Sequence, residues 1–248
     1  MLSFESVVKF WQNKKISSIA ELEAAINGKI VSLAYHSAKI ENNAVTYNDT
    51  REIFEHDSVI QYTGDLRTLF EIRNSKDAFA ELLRAFEHKA PLDKPLILRF
   101  HRQLTKNTYD QIRWDAGERP GEFKKRDYVV GCDEVGSLPQ DVEVEMDELL
   151  AEIQNFSGTE VIKAAAYFHL KFENIHPFSD GNGRTGRLTL NYFLLIHDYP
   201  PVIIHEQDRK EYFRALESWD TNQDISLMVD FLQAQILKTW SKQVTRDL

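Results

Sequence analysis

Cysteine is nearly absent from this chain of 248 residues, whose single cysteine is Cys132. One cysteine excludes an internal disulfide and suits a reducing compartment. Basic residues are also outnumbered, because 30 lysines and arginines stand against 39 aspartates and glutamates and leave a net charge of -9. This balance argues against a nucleic-acid partner, since non-specific binding to a phosphate backbone needs a basic surface.

Long apolar runs are missing as well. No run approaches the length that would cross a bilayer, and the first residues, MLSFESVVKFWQNKK, lack the apolar core of a signal peptide. We therefore expect a cytoplasmic protein without a membrane partner. The length suits one domain, with ample material for a hydrophobic core.

Helical periodicity dominates the sequence and predicts a mainly α protein. The predicted helices cover residues 4–13, 19–27, 29–42, 65–88, 93–106, 140–156 and 160–175, and one further amphipathic helix is predicted at the end of the chain. Asp93, ahead of Pro95, is typical of a helix cap. One β-hairpin is predicted between Gly117 and Pro139, where turn residues flank the β-rich segment DYVVG.

The segment HPFSDGNGRTGR, from His176 to Arg187, concentrates the chemistry of the chain. Its glycines and the apolar run LTLNYFLLI that follows predict a turn leading into a buried helix, whose N-terminus would offer free N–H groups to an anion. Arg184, Arg187 and Asn191 fall on one stripe of that helix. Because two buried arginines need an anionic partner, this pattern predicts a polyphosphate ligand.

The same segment contains a GxGxxG pattern, formed by Gly181, Gly183 and Gly186, with an acid at Glu206 about twenty residues on, as a dinucleotide-binding fold would have. Such a fold needs a buried strand immediately before the first glycine. The preceding NIHPFSD is polar and is interrupted by Pro177, and the chain lacks alternating strands and helices. A Rossmann fold is therefore disfavoured.

The segment resembles the HPFx[D/E]GNGRxxR signature of the Fic family, whose members mostly transfer AMP from ATP to a protein hydroxyl. The nine matching positions are His176, Pro177, Phe178, Asp180, Gly181, Asn182, Gly183, Arg184 and Arg187. The resemblance covers roughly residues 29–220 and implies a Fic-type helical bundle with one β-hairpin flap. It further implies an N-terminal helical segment over 1–64 and a Fic core over 65–248, with the flap at 119–135.

The resemblance implies roles for individual residues. His176 is expected to act as general base, which suits an imidazole whose ordinary pKa of about 6.5 leaves it largely neutral at pH 7. Asp180 is expected to hold Mg²⁺ against the phosphates of the co-substrate ATP. Phe178 is expected to anchor the loop. The expected nucleotide-binding residues are Asp180, Gly181, Asn182, Gly183, Arg184, Thr185, Gly186, Arg187, Tyr212 and Phe213, although an ordinary core stripe explains the last two equally well.

A second match lies in the predicted helix over 29–42. Many Fic proteins carry an inhibitory helix with the pattern [S/T]xxxE[G/N], which Ser37, Glu41 and Asn42 fit. The resemblance implies that Glu41 lies against Arg187 in place of the γ-phosphate, whereas a solvent-facing Ser–Glu pair is the ordinary alternative. The flap is expected to bind an extended segment of the target protein by main-chain pairing. Its expected working residues are Tyr128, Val129, Val130, Gly131, Cys132 and Asp133.

We therefore expect a protein adenylyltransferase that modifies a Ser, Thr or Tyr hydroxyl of a target protein, or of the chain itself. Glycine at position 183 favours this over the phosphorylating branch of the family, which carries lysine there. Two alternatives stay open, a hydrolase that removes AMP with Glu41 positioning water and an ATP-binding switch without turnover. A homodimer also stays open. His101 and His169 are interpreted as structural histidines rather than as metal ligands beside His176.

Overall fold

Helices make up most of the computed structural model, which describes residues 2–130, 134–154, 156 and 160–247. Within these residues the helices are α1 (Phe4–Gln12), α2 (Ile19–Ile26), α3 (Ile30–Glu41), α4 (Tyr47–His56), α5 (Leu66–Glu87), α6 (Lys94–Thr105), α7 (Gln111–Asp115), α8 (Val142–Gln154), α9 (Val161–Ile175), α10 (Asn182–Ile196), α11 (Arg209–Asn222) and α12 (Ser226–Asp247). A 3₁₀ turn over Glu206–Asp208 leads into α11. None of the described helices combines the length and apolar character that a membrane span requires.

The predicted helices agree with α1, α2, α3, α5, α6, α8 and α9 to within a few residues. The predicted cap of α6 is confirmed, because the Asp93 carboxylate accepts the Leu96 N–H at 2.9 Å. The helix α11 was not predicted, and neither were the two short helices α4 and α7. Their sequences, YNDTREIFEH and QIRWD, are polar and carry too few apolar residues to show a helical period.

The helix α10 lies at the centre of the fold and packs against α3, α5, α6 and α9. It is buried on nearly every side, as expected for a helix whose sequence is apolar around most of its circumference. Phe193 on α10 belongs to a large core that extends from α1 to α12. At the far end of that core Trp11 packs edge-on against Trp240, with ring centroids 5.0 Å apart.

The helix α3 packs against α4, α5 and α10. A separate small apolar cluster joins it to its neighbours, with Ala38 from α3, Ile53 from α4 and Ile72 from α5. The polar face of α3 is thereby turned toward the N-terminal half of α10. This packing places Ser37 and Glu41 beside the arginines of α10.

The predicted β-hairpin flap is wrong. The fold is helical, and strand pairing in the described ranges is limited to two residues on each side, β1 (Val129–Val130) and β2 (Glu134–Val135). A two-stranded ribbon is marginal in water even when it is longer than this. The β-rich composition of DYVVG therefore did not build a hairpin of its own.

The main chain on either side of this short pairing bonds instead to residues at and just after the end of α9. The Lys124 N–H donates to the Pro177 carbonyl at 2.9 Å, and the Ser137 N–H donates to the Ile175 carbonyl at 3.0 Å. These two bonds bracket His176. The segment that we predicted as a flap thus serves partly as a support for the loop that follows α9.

Candidate active site

The loop between α9 and α10 is held by the side chain of Asn182. Its oxygen accepts the Phe178 N–H at 2.8 Å, and its nitrogen donates to the Phe178 carbonyl at 2.7 Å. Gly181 precedes it with φ 81°, a conformation that lets the chain turn directly into α10. Asn182 therefore closes the loop with its side chain, and its contribution toward a ligand is limited to its main chain.

Phe178 and His101 form the floor of this loop. Their rings stack in parallel with centroids 3.6 Å apart, and both are fully buried. The Gly121 N–H donates to Nδ1 of His101 at 2.9 Å, so the ring proton lies on Nε2, which reaches the Asp180 carbonyl at 3.0 Å. Burial lowers the pKa of His101 to about 3. His101 is thus a neutral structural histidine, as the sequence indicated.

His176 caps the C-terminus of α9 with a left-handed backbone, φ 50° and ψ 61°. Burial, followed by the positive charge of Lys124, lowers the pKa of His176 to about 4. The imidazole is therefore neutral at pH 7 and able to accept a proton. A β-carbon on Gly136 would lie 2.5 Å from that of His176, so the glycine allows this close approach.

Arg187 faces α3 with three of its donors. Its Nε donates to the Ser37 hydroxyl at 3.0 Å, and its Nη2 donates to the Ser37 carbonyl at 2.8 Å and lies 2.8 Å from the Glu41 carboxylate. Burial alone would lower the pKa of Arg187, but Glu41, Tyr212 and Glu173 outweigh it and raise that pKa. The predicted contact between Glu41 and Arg187 is present.

Gly183 lies directly beneath this ion pair. A β-carbon at position 183 would collide with the Glu41 carboxylate and would lie 2.8 Å from Nη1 of Arg187. Glycine thus leaves room for the carboxylate at the N-terminal turn of α10. The acidic group of Glu41 occupies the place at the start of the helix where an anion is electrostatically favoured.

Arg184 is 4% exposed. It lies between two carboxylates that are too distant for good hydrogen bonds. Its guanidinium nitrogens are 3.6 Å from Glu71 and 3.6 Å from Asp180. Its Nε and Nη1 have no hydrogen-bond partner in the described part of the chain. A buried guanidinium with unused donors is well suited to a phosphate that supplies additional oxygens.

Asp180 and Glu71 are linked by Arg67, a residue that sequence analysis missed. Arg67 Nη2 lies 2.6 Å from Asp180, and its Nε lies 3.2 Å from Glu71. Glu71, 5% exposed, also accepts the Asn42 amide at 2.8 Å. The end of α3 is thus connected to Asp180 through α5, and the i,i+4 spacing of Arg67 and Glu71 was the one signal available.

Tyr212 and Phe213 differ in exposure, although their rings pack edge-on with centroids 5.3 Å apart. Tyr212 is buried behind Arg187. Its hydroxyl hydrogen-bonds to His169 Nε2 at 2.8 Å and accepts a hydrogen bond from Arg187 Nη1 at 3.5 Å. Phe213 is 42% exposed. Burial, followed by the charge of Arg187, lowers the pKa of His169 to about 3, so His169 is also a structural histidine.

The remaining predicted residues lie close by with structural contacts. The Thr185 hydroxyl donates to the Gly181 carbonyl at 2.8 Å. Gly186 packs against Glu173, a buried carboxyl that sequence analysis missed and whose pKa burial raises to about 8. Of the predicted flap residues, Tyr128 donates its hydroxyl to Glu118 at 3.0 Å. Val129 and Val130 form β1, whereas Gly131, Cys132 and Asp133 lie outside the described residues.

Comparison with known proteins matches residues 91–194 to the model of the Fic/DOC family. A protein adenylyltransferase Fic from Drosophila persimilis is 33% identical over 185 residues, which are 74% of this chain and 35% of that protein. The relative from Drosophila willistoni is 34% identical over 187 residues, again 74% of this chain and 35% of that protein. This chain therefore spans about a third of the length of these curated relatives.

Solved structures share the fold. A Fic domain containing signalling protein from Bacteroides thetaiotaomicron superimposes with a TM-score of 0.82 at 21% identity, over 97% of this chain and 95% of that one. A fragment of Fic-1 from C. elegans gives 0.76 at 24% identity, over 98% and 68%. A Fic domain from Bartonella quintana, solved with bound ADP, gives 0.50 at 16% identity, over 75% and 94%.

Proposed function

This chain carries a Fic/DOC domain, and we propose that it is a protein adenylyltransferase that transfers AMP from ATP to a Ser, Thr or Tyr hydroxyl of a target protein. The observation that carries the proposal is the placement of two buried arginines in the first turns of α10, directly after the loop that carries the neutral His176. The names of the curated relatives support it. The ADP bound to the Bartonella quintana domain supports a nucleotide as the ligand.

The reaction that this site supports is an in-line displacement at the α-phosphorus of ATP. The target hydroxyl oxygen bonds to phosphorus, its proton passes to His176, and the bond to the β-phosphate oxygen breaks to release pyrophosphate. Arg184 and Arg187 bind the phosphates and stabilise the charge that develops on the leaving group. With a pKa of about 4, the His176 imidazole is unprotonated at pH 7 and can receive this proton.

Asp180 would hold Mg²⁺. In the part of the chain that the structure describes, no three His, Cys, Asp or Glu side chains gather to form a metal site. A lone carboxylate at a helix N-terminus still fits this ion, because Mg²⁺ is commonly bound through one or two carboxylates, substrate phosphates and water. When bound, Mg²⁺ would neutralise phosphate charge. The ion would compete with Arg67, which lies 2.6 Å from Asp180.

Glu41 would hold this activity in check. Its carboxylate takes the donors of Arg187 that a γ-phosphate would use, and it blocks the turn at Gly183. ATP that binds in its presence would place its phosphates away from the in-line geometry. We therefore propose that the wild-type chain is nearly silent toward transfer. A reducing compartment such as the cytoplasm is the proposed location, because the chain has a single cysteine.

The proposal is tested with ATP labelled at either the α- or the γ-phosphate. The purified Glu41→Gly variant, incubated with a cell lysate, should attach label to protein from α-labelled ATP and release pyrophosphate. Attachment of γ-label would identify a kinase instead.

A hydrolase that removes AMP is the second candidate, because the Glu41 carboxylate lies inside the site where it could position water. Protein modified by the Glu41→Gly variant is the substrate for its test. Release of AMP by wild type and not by the Glu41→Gln variant would support the hydrolase.

A further inference from the structure

Lys124 is a lysine buried beside the candidate active site, and the residue is 2% exposed. Its Nζ has no hydrogen-bond partner among the described residues. An ammonium group carries three donors, and burying it unpaired is costly. The neighbouring Lys125 shows the ordinary arrangement, since its Nζ reaches the Gly117 carbonyl at 2.8 Å and the Glu122 carboxylate at 2.7 Å. The burial of Lys124 therefore needs an explanation beyond stability.

Two chain segments fix this lysine against the loop that carries His176. The Lys124 N–H bonds to the Pro177 carbonyl, and the Ser137 N–H bonds to the Ile175 carbonyl, so both neighbours of His176 are held by main-chain bonds. Gly136 closes the gap between the two segments.

Lys124 and His176 border this same glycine. A β-carbon on Gly136 would lie 2.5 Å from the β-carbon of His176 and 3.0 Å from Nζ of Lys124. The Lys124 ammonium and the β-carbon of His176 therefore both lie next to the α-carbon of Gly136.

The charges around His176 oppose one another. Glu41 from α3 and Asp180 from the loop favour the protonated imidazole, as does a bond to the Glu173 main chain, while Lys124 disfavours it. Burial lowers the pKa of Lys124 itself, but Asp127, Glu145 and Glu118 act against that effect and favour its charged form. Bound ATP would bring further negative charge toward the imidazole.

We propose that Lys124 is a positioning residue whose buried ammonium acts together with burial of the ring to keep the His176 imidazole neutral and ready to accept the proton of the target hydroxyl. The inference deepens the proposed function and rests on the base role of His176. A cation disfavours a second positive charge on a nearby ring, so it acts against the carboxylates and the nucleotide, which favour the imidazolium. Without Lys124, a larger fraction of His176 would be imidazolium at any given pH.

Titration of His176 by NMR tests this inference in the protein without nucleotide. The ring signals are assigned with a His176→Gln variant, and the wild type is compared with Lys124→Met, which removes the charge and keeps a similar length. The midpoint of the His176 titration should rise by about one pH unit in Lys124→Met. Lys124→Arg should restore it, and Lys125→Met, the same change at the exposed neighbour, should leave it unchanged.

Transfer assays supply a second readout. In the Glu41→Gly background, Lys124→Met should shift the acidic limb of the pH–rate profile to higher pH by about the same amount as the NMR midpoint. The Kd for ATP should stay within about twofold. Lys124→Gln, neutral and polar, replaces Lys124→Met if thermal melting shows that the latter does not fold.

An unchanged His176 midpoint in a folded variant overturns the inference. A weaker Kd for ATP with an unchanged midpoint would overturn it too and would identify Lys124 as a phosphate ligand. Because the titration needs no catalysis, its outcome is independent of whether the chain transfers AMP.

Discussion

Replacing Glu41 should activate this chain. Glu41 is the last residue of α3, and its carboxylate lies 2.8 Å from Nη2 of Arg187. Glu41→Gln keeps the size and hydrogen-bonding capacity of the side chain and removes its charge. Glu41→Gly removes the whole side chain and also opens the space above Gly183.

The expected magnitude follows from this contact. A hydrogen bond to a charged group contributes about 1.5–3 kcal/mol, and solvent screening reduces it here, because the Glu41 side chain is 39% exposed. A remaining contribution of about 1 kcal/mol corresponds to about fivefold in ATP affinity. Realignment of the phosphates adds to the rate, since a misplacement of about 1 Å costs about 10²-fold. Transfer should therefore rise by about tenfold or more in Glu41→Gly.

The assay measures incorporation of α-labelled AMP into the chain and into added protein at saturating Mg²⁺-ATP, alongside the Kd for ATP. Glu55→Gly is the matched control, because Glu55 lies in the last turn of α4 and its side chain is 52% exposed. Glu55→Gly also places glycine at a helix end but leaves the Glu41–Arg187 contact intact. It should therefore leave transfer at the wild-type level. Equal incorporation by wild type and Glu41→Gly would refute the inhibitory role and would identify Glu41 as an ordinary partner of Arg187.

Three further variants probe the site. Arg187→Ala should abolish transfer in the Glu41→Gly background and weaken ATP binding by calorimetry, because the terminal phosphate loses its partner, whereas unchanged values would make Arg187 structural. Asn182→Ala should lower the free energy of unfolding in urea by about 2–4 kcal/mol, because the buried N–H and carbonyl of Phe178 lose their partner, and a loss below about 0.5 kcal/mol would contradict this. Burial raises the pKa of Glu173 to about 8 from 4.5, so the stability that its proton confers is complete below pH 4.5 and is lost as the pH rises through 8. Glu173→Gln cannot ionise, so its free energy of unfolding should increase relative to that of wild type as the pH rises from about 5 to 8. A difference between the two proteins that stays constant with pH would contradict the shift.

The site could be predicted where its chemistry is local in sequence. His176, the glycine turn and the two arginines lie within twelve consecutive residues, and the spacing of Arg184 and Arg187 alone places both on one face of α10. Ser37 and Glu41 carry a spaced pattern on one helix, and the structure places both against Arg187.

The residues that sequence analysis missed meet only through tertiary packing. Glu71 reaches Asn42 and Arg184 from a different helix, and Gly136 reaches His176 from a segment without regular structure. No period or motif marks such contacts in one sequence. The predicted hairpin was wrong for a related reason. The main-chain N–H groups of Lys124 and Ser137, which flank the segment, donate to the carbonyls of Pro177 and Ile175 on either side of His176.

The most direct test of the account is the loss of transfer when the proposed base is removed from the Glu41→Gly variant. Glu41→Gly and the double variant Glu41→Gly/His176→Ala are compared for incorporation of α-labelled AMP, with the Kd for ATP measured on both. The account predicts that the double variant loses about 10²- to 10⁴-fold in rate while the Kd stays within a few-fold. Equal incorporation by the two proteins would contradict the assignment of His176 as the base.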